Sequence, residues 1–162
     1  MFGNLKYKNI NIFIVILYSV FALLFAYYFQ YFRGYPPCEL CIYQRIPYFV
    51  AIFVGVLYLV IPVKDVILLR MLFLIFLSSF FISGFHFGVE NDLWEYKSAC
   101  SSGTNDFENI DDLRSFLDNA PIVKCNEVIL SFWGVSMAAL NMILSFIVSL
   151  FVLYSVKNVR FK

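Results

Sequence analysis

Cys38-Glu39-Leu40-Cys41-Ile42-Tyr43-Gln44-Arg45 opens a stretch, residues 38–61, that reads CELCIYQRIPYFVAIFVGVLYLVI and decides the fold. From Ile46 to Ile61 it carries no charge. A membrane-spanning helix needs about 20 mainly apolar residues. Besides Ile42–Ile61, three other stretches meet that length, at about Ile12–Phe29, Val66–Phe87 and Val128–Val156. In lipid every backbone polar group must be satisfied within its own segment, which makes these helices rather than open strands. They predict an all-α, four-helix transmembrane bundle, one domain over residues 1–162, with a short loop at about 30–41 and a long one at about 88–127. Composition agrees. The chain is 62% hydrophobic and 14% charged, with a mean hydropathy of +0.80, against about 45–50% and about 25% in soluble domains. Lys6 and Lys8 precede the first apolar run as they would in a signal peptide. That run is longer than a signal core of about 7–15 residues and ends without a small-x-small cleavage pattern, so it is read as a helix. The basic residues are scattered or sit at membrane edges, which points away from nucleic acid.

Charge placement predicts orientation. The N-terminus, the link between the second and third spans and the C-terminus hold Lys6, Lys8, Lys64, Arg70, Lys157, Arg160 and Lys162 against a single acid, Asp65. Positive charge stays on the cytoplasmic face. Both termini are therefore expected in the cytoplasm of a multi-pass inner-membrane protein, and the other two loops outside. All four cysteines, Cys38, Cys41, Cys100 and Cys125, fall in or beside those outer loops. Disulfides persist in oxidising compartments such as the bacterial periplasm. Four cysteines allow three pairings, which sequence alone leaves open; Cys38–Cys41 with Cys100–Cys125 is the simplest.

A Cys-x-x-Cys pair has bland readings. As a staple it closes too short a loop to remove much chain entropy. A structural zinc site usually draws on a second closely spaced pair, and Cys100 and Cys125 are not one, so no metal is expected. Haem attachment needs His after the second cysteine, where Ile42 stands. Redox chemistry fits better, because thiolates are stabilised at helix N-termini and beside cations. Arg45 follows Cys41 by about one turn, subject to Pro47, which disfavours helical geometry at Ile46. Its bland reading is a snorkelling interfacial residue; its functional one is a donor to a buried carbonyl oxygen, such as a quinone presents. His86 is the single histidine, in Gly84-Phe85-His86-Phe87-Gly88. It acquires a role only if the third span ends beside Cys41. In the long loop Phe107, Ile110, Leu113 and Phe116 alternate with acids in an amphipathic helical pattern, suited to the membrane surface or to a partner.

Residues 37–48, His86 with Gly88-Val89-Glu90-Asn91, Cys100, and Cys125-Asn126-Glu127 running into Phe132-Trp133-Gly134-Val135-Ser136-Met137-Ala138 together resemble the bacterial DsbB family of disulfide-bond formation proteins. The resemblance covers essentially the whole chain. It implies a membrane thiol oxidase that reoxidises the periplasmic dithiol oxidant DsbA and hands the electrons to membrane quinone, ubiquinone or menaquinone. By that resemblance Cys100 receives the partner's thiolate, Cys125 exchanges with Cys38, Cys41 faces the quinone, and Arg45 holds the quinone with His86 nearby. The loop between Cys100 and Cys125 has its own sequence, so a specialised homologue with one dedicated partner stays open. So does a structural tetraspan protein with two stabilising disulfides. A vitamin K epoxide reductase type of enzyme is disfavoured, because its Cys-x-x-Cys comes later in the bundle.

Overall fold

The computed structural model describes residues 10–61, 63–96, 125–126, 128, 130–132 and 134–160. Cys100 and the amphipathic stretch from Phe107 to Phe116 lie outside them. The described residues form an all-α four-helix bundle. Helix α1 runs Ile10–Tyr31, α2 Glu39–Tyr43, α3 Ile46–Val60, α4 Asp65–Glu90 and α5 Met137–Arg160. A two-residue hairpin, β1 Ser131–Phe132 with β2 Val135–Ser136, leads into α5. Four stretches, Ile10–Tyr31, Glu39–Tyr58, Asp65–Glu90 and Met137–Asn158, are long and apolar enough to cross a membrane. The chain is a multi-pass membrane protein.

Local chemistry explains the two irregular points. Pro47 lies in the first turn of α3 and has no N–H to continue the ladder from α2. The chain therefore tightens at Gln44 and Arg45, where the Arg45 N–H bonds the Ile42 carbonyl at 3.0 Å, and α3 starts afresh at Ile46. The second point is the last helix, which begins at Met137 rather than near Val128. Gly134, at φ +82°, turns the hairpin, a conformation that glycine adopts without strain. Ser136 then caps α5, its Oγ accepting the Ala139 N–H at 3.2 Å.

The bundle is packed for lipid. Large side chains such as Phe13, Phe21, Leu74, Phe81 and Tyr154 point outward, while the interior holds Val15, Leu69, Leu72, Phe76 and Val152 together with Ser19, Ser79, Ser83, Ser145 and Ser155. Small residues let membrane helices approach closely. Ser79 of α4 meets Ser145 of α5 at 2.9 Å. Ser19 and Ser155 return their hydroxyls to the Val15 and Phe151 carbonyls of their own helices, so these two buried hydroxyls are paired within the helix that carries them. Gly55 serves the same end, since a Cβ there would run into Ile16 of α1. Beyond α4 the chain folds back: Trp94 stacks on Phe85 at 5.7 Å and Tyr96 meets the same ring edge-on at 6.1 Å. That turn brings Tyr96 against the cysteine cluster at the mouth of the bundle.

Candidate functional site

Three cysteines meet at one end of the bundle. Cys38 caps α2, and its sulfur accepts the Cys41 N–H at 3.4 Å. The Cys38 thiol donates to the Cys41 sulfur across 3.0 Å. Cys125, far away in sequence, is buried in one cluster with Cys38, Leu40 and Val89, with Tyr96 packed on it. The Leu40 and Glu39 backbone N–H groups at the start of α2 are close enough to its sulfur to lower its pKa.

The surroundings set the acidity of the two thiols that lie outside the spanning segments. The bond to Cys41 and then burial push Cys38 up to about 12, and His86 opposes them. Burial pushes Cys125 up to about 11, with the neighbouring Cys38 adding to it and the two backbone N–H groups opposing. Both values exceed the ordinary 9.0, and the thiolate is the reactive form. In the fully reduced protein, alkylation of Cys125 by a small iodoacetamide is therefore expected to rise to half its limit near pH 11. A midpoint near 9 would contradict the burial. Folding favours the neutral thiols, so their contribution to stability is full below the ordinary thiol pKa. It is lost as pH rises through about 11 to 12.

Behind the cysteines runs a line of polar side chains. His86 Nε2 lies 3.5 Å from the Cys38 sulfur, and Nδ1 lies 2.7 Å from Gln44 Nε2. Gln44 Oε1 accepts from Asn141 Nδ2 at 3.0 Å. Asn141 Oδ1 in turn accepts from the Tyr48 hydroxyl and, at 3.4 Å, from Ser145. Tyr18 stands 3.4 Å from Tyr48. Glu90, one turn beyond His86, places Oε1 3.8 Å from Nε2; its other oxygen is buried with no donor among the described residues. Arg45 donates to Gln30 at 2.6 Å and lies over the Tyr27 ring at 4.8 Å.

These groups form the polar end of a cavity of about 330 Å³. Cys38, Cys41, Gln44, Arg45 and His86 line that end, and Phe21, Phe25, Phe29, Leu140 and Leu144 form apolar walls. A ligand pocket is typically about 300–1,000 Å³, mostly apolar, with a few converging polar groups. A flat ring bearing carbonyl oxygens fits this lining, because Arg45 can donate to it and the aromatic walls match its faces. Metal suits the site less well. The donor atoms of Cys38, Cys41 and His86 all lie within 4.8 Å of one another. However, two thiolates on tetrahedral zinc, at about 2.3 Å each, would stand roughly 3.8 Å apart, whereas these sulfurs are 3.0 Å apart.

Of the residues singled out by sequence, the structure brings Cys38, Cys41, Cys125, Arg45 and His86 to one place, and Cys100 lies outside the described residues. Sequence reasoning included Gln44, Tyr48 and Glu90 in the stretches that carry the resemblance but gave them no role, and it did not single out Asn141. A signal existed for Gln44 and Asn141, since polar side chains inside a spanning segment mark functional sites by default. Their mutual contact had no local signal.

The family described as "Disulfide bond formation protein DsbB" matches residues 8–155. An uncharacterized protein of Rickettsia prowazekii (strain Madrid E) is 29% identical over 148 residues, which cover 90% of this chain and 86% of that protein. No solved structure matches the chain.

Proposed function

The chain belongs to the disulfide bond formation protein DsbB family, and we propose that it is a quinone-dependent thiol oxidase that reoxidises a DsbA-like thioredoxin-fold partner. The DsbB family implies a thiol-disulfide oxidoreductase. The observation that carries the finer reading is that Cys125 and the Cys38/Cys41 pair share one buried cluster that borders an apolar cavity with Arg45 at its polar end.

The relay is a series of thiolate attacks on disulfide sulfurs. A partner thiolate attacks Cys100 of a Cys100–Cys125 disulfide, and the bond's electron pair leaves on Cys125. Cys125 attacks Cys38, and Cys41 leaves as a thiolate. The partner's second thiolate resolves the mixed disulfide and frees Cys100, which attacks Cys125 and leaves the electron pair on Cys38. The net result is an oxidised partner, a restored Cys100–Cys125 disulfide and a reduced Cys38/Cys41 pair. A bound quinone supplies the two-electron acceptor that restores the Cys38–Cys41 disulfide. Burial acts both ways: a sulfur of high pKa is the poorer leaving group, but once it has left it is already a thiolate and is the stronger nucleophile for the next attack. Arg45, with Nη1 held by Gln30, is the cation of the cavity wall that would offer its other N–H groups to an acceptor oxygen. On this reading the cysteines and the two loops at about 30–41 and 88–127 face the periplasm, and both termini and the link between the second and third spans the cytoplasm.

The deciding assay mixes the purified protein, a reduced DsbA-type partner and a soluble quinone without oxygen, and follows quinone absorbance. No quinone loss sinks the proposal. Cys100→Ser is expected to block the first attack, and a wild-type rate in that variant would refute the role given to Cys100. Arg45→Ala is expected to raise the KM for quinone by about tenfold to a hundredfold, as loss of a charged hydrogen bond does. Unchanged quinone kinetics would remove Arg45 from the site.

A further inference from the structure

The polar line behind Cys38 has a direction. Gln44 and Asn141 meet amide to amide at 3.0 Å, so one must present nitrogen where the other presents oxygen. The two amides therefore turn together or not at all. In one arrangement the Tyr48 and Ser145 hydroxyls donate to Asn141, Asn141 donates to Gln44, and Gln44 donates to His86 Nδ1. In the reverse arrangement every bond inverts, and Nδ1 must carry a proton.

The other side of the ring selects between them. His86 Nε2 faces the Cys38 sulfur at 3.5 Å and Glu90 Oε1 at 3.8 Å. The Cys38 thiol gives its proton to Cys41, so its sulfur is left to accept, as a Glu90 carboxyl oxygen does, and the second Glu90 oxygen has no donor among the described residues. A proton on Nε2 satisfies that side, and a neutral ring then has a bare Nδ1, which the Gln44 amide caps. The titratable groups facing His86 are Cys38 and Cys41 from the start of α2 and Glu90 from its own helix. The Arg45 guanidinium is turned to Gln30 and Tyr27.

We propose that Tyr48, Asn141 and Gln44 lock His86 as the neutral tautomer with its proton on Nε2, aimed at the Cys38 sulfur. The inference rests on the thiol-relay reading, in which Cys38 leaves as a thiolate when Cys100 attacks Cys125. At that moment the sulfur–sulfur bond breaks and its electron pair settles on Cys38. The fixed Nε2–H meets the charge with a hydrogen bond and no proton moves. Asn141 acts on this step only through Gln44 and His86, and is a positioning residue.

His86 is the single histidine of the chain, so nitrogen-15 NMR of the full-length, histidine-labelled protein in micelles reports one ring. The reduced wild type is expected to show a protonated Nε2 and a bare Nδ1. Asn141→Leu frees Gln44 to turn its oxygen to the ring, so an Nδ1–H population should appear. Alkylation of Cys38 at mildly alkaline pH should then slow by about tenfold, the lower end for a lost hydrogen bond to a charged group. Gln44→Glu, whose carboxylate only accepts, should place a proton on Nδ1 outright, and it keeps the test valid if Asn141→Leu does not fold. A wild type with Nδ1 protonated, or two folded variants that keep the wild-type ring pattern, would overturn the lock. Neither measurement uses quinone or a partner. A wild type with the expected ring that fails to oxidise thiols therefore overturns the oxidase reading alone.

Discussion

Cys41→Ser is expected to bring quinone-dependent thiol oxidation down to background, a loss on the order of 10³-fold or more, the scale of removing a covalent nucleophile. Cys41 is the half-buried member of the pair and lines the cavity. Its sulfur is 3.0 Å from Cys38, so in the proposed relay it closes the disulfide that stores oxidising power at the cavity. A serine hydroxyl fills nearly the same space but forms no disulfide with Cys38. The variant should still fold, because the Cys38 cap depends on the residue-41 N–H and not on its side chain. Quinone absorbance and titration of the partner's thiols, followed together, give the readout. Quinone consumption at the wild-type rate would show that electrons leave by another sulfur.

Cys125→Ala is expected to cost as much with a protein partner and little with a small dithiol. In the proposed relay the partner's electrons enter through Cys100 and reach Cys38 only by way of Cys125, whose sulfur lies in the Cys38 cluster. Removing it cuts the relay between the loop and the pair. Dithiothreitol in excess is small enough to reach Cys41, which is only half-buried, and so can reduce the Cys38–Cys41 disulfide directly. The expected pattern is a loss of roughly 10³-fold with the DsbA-type partner beside a rate with dithiothreitol within a few-fold of wild type. Equal losses with both reductants would mean that Cys125 holds the cavity together rather than carrying electrons.

The two variants probe different levels of legibility. Cys41 announced itself, because a Cys-x-x-Cys beside an uncharged apolar run is a local pattern, and Arg45 stands within the same turn. Cys125 was visible as a cysteine, but no local pattern set it beside Cys38, and only the family resemblance made it an exchange partner. Its position depends on the path of a long connection, and loop paths are not written in periodicity. Val128–Ser136 misled for a related reason. It is apolar enough to read as helix, yet Gly134 turns it back as a hairpin and Ser136 supplies the cap that starts α5.

What the sequence determined by itself is the solvent, the number of spans and the supply of reactive groups. Hydropathy, length and the absence of charge act residue by residue, and a bundle of four apolar helices follows from them. What only the tertiary structure decided is which polar atoms meet. Gln44 reaches His86 across 42 positions and Asn141 across 97. Those meetings depend on how far each helix is rotated and how deep it sits, which is set by packing of small residues such as Ser79 against Ser145. In an apolar interior an unpaired amide is costly, so once the helices dock at that rotation the amides must find one another, and the hydrogen-bond line that ends at Cys38 forms as a consequence.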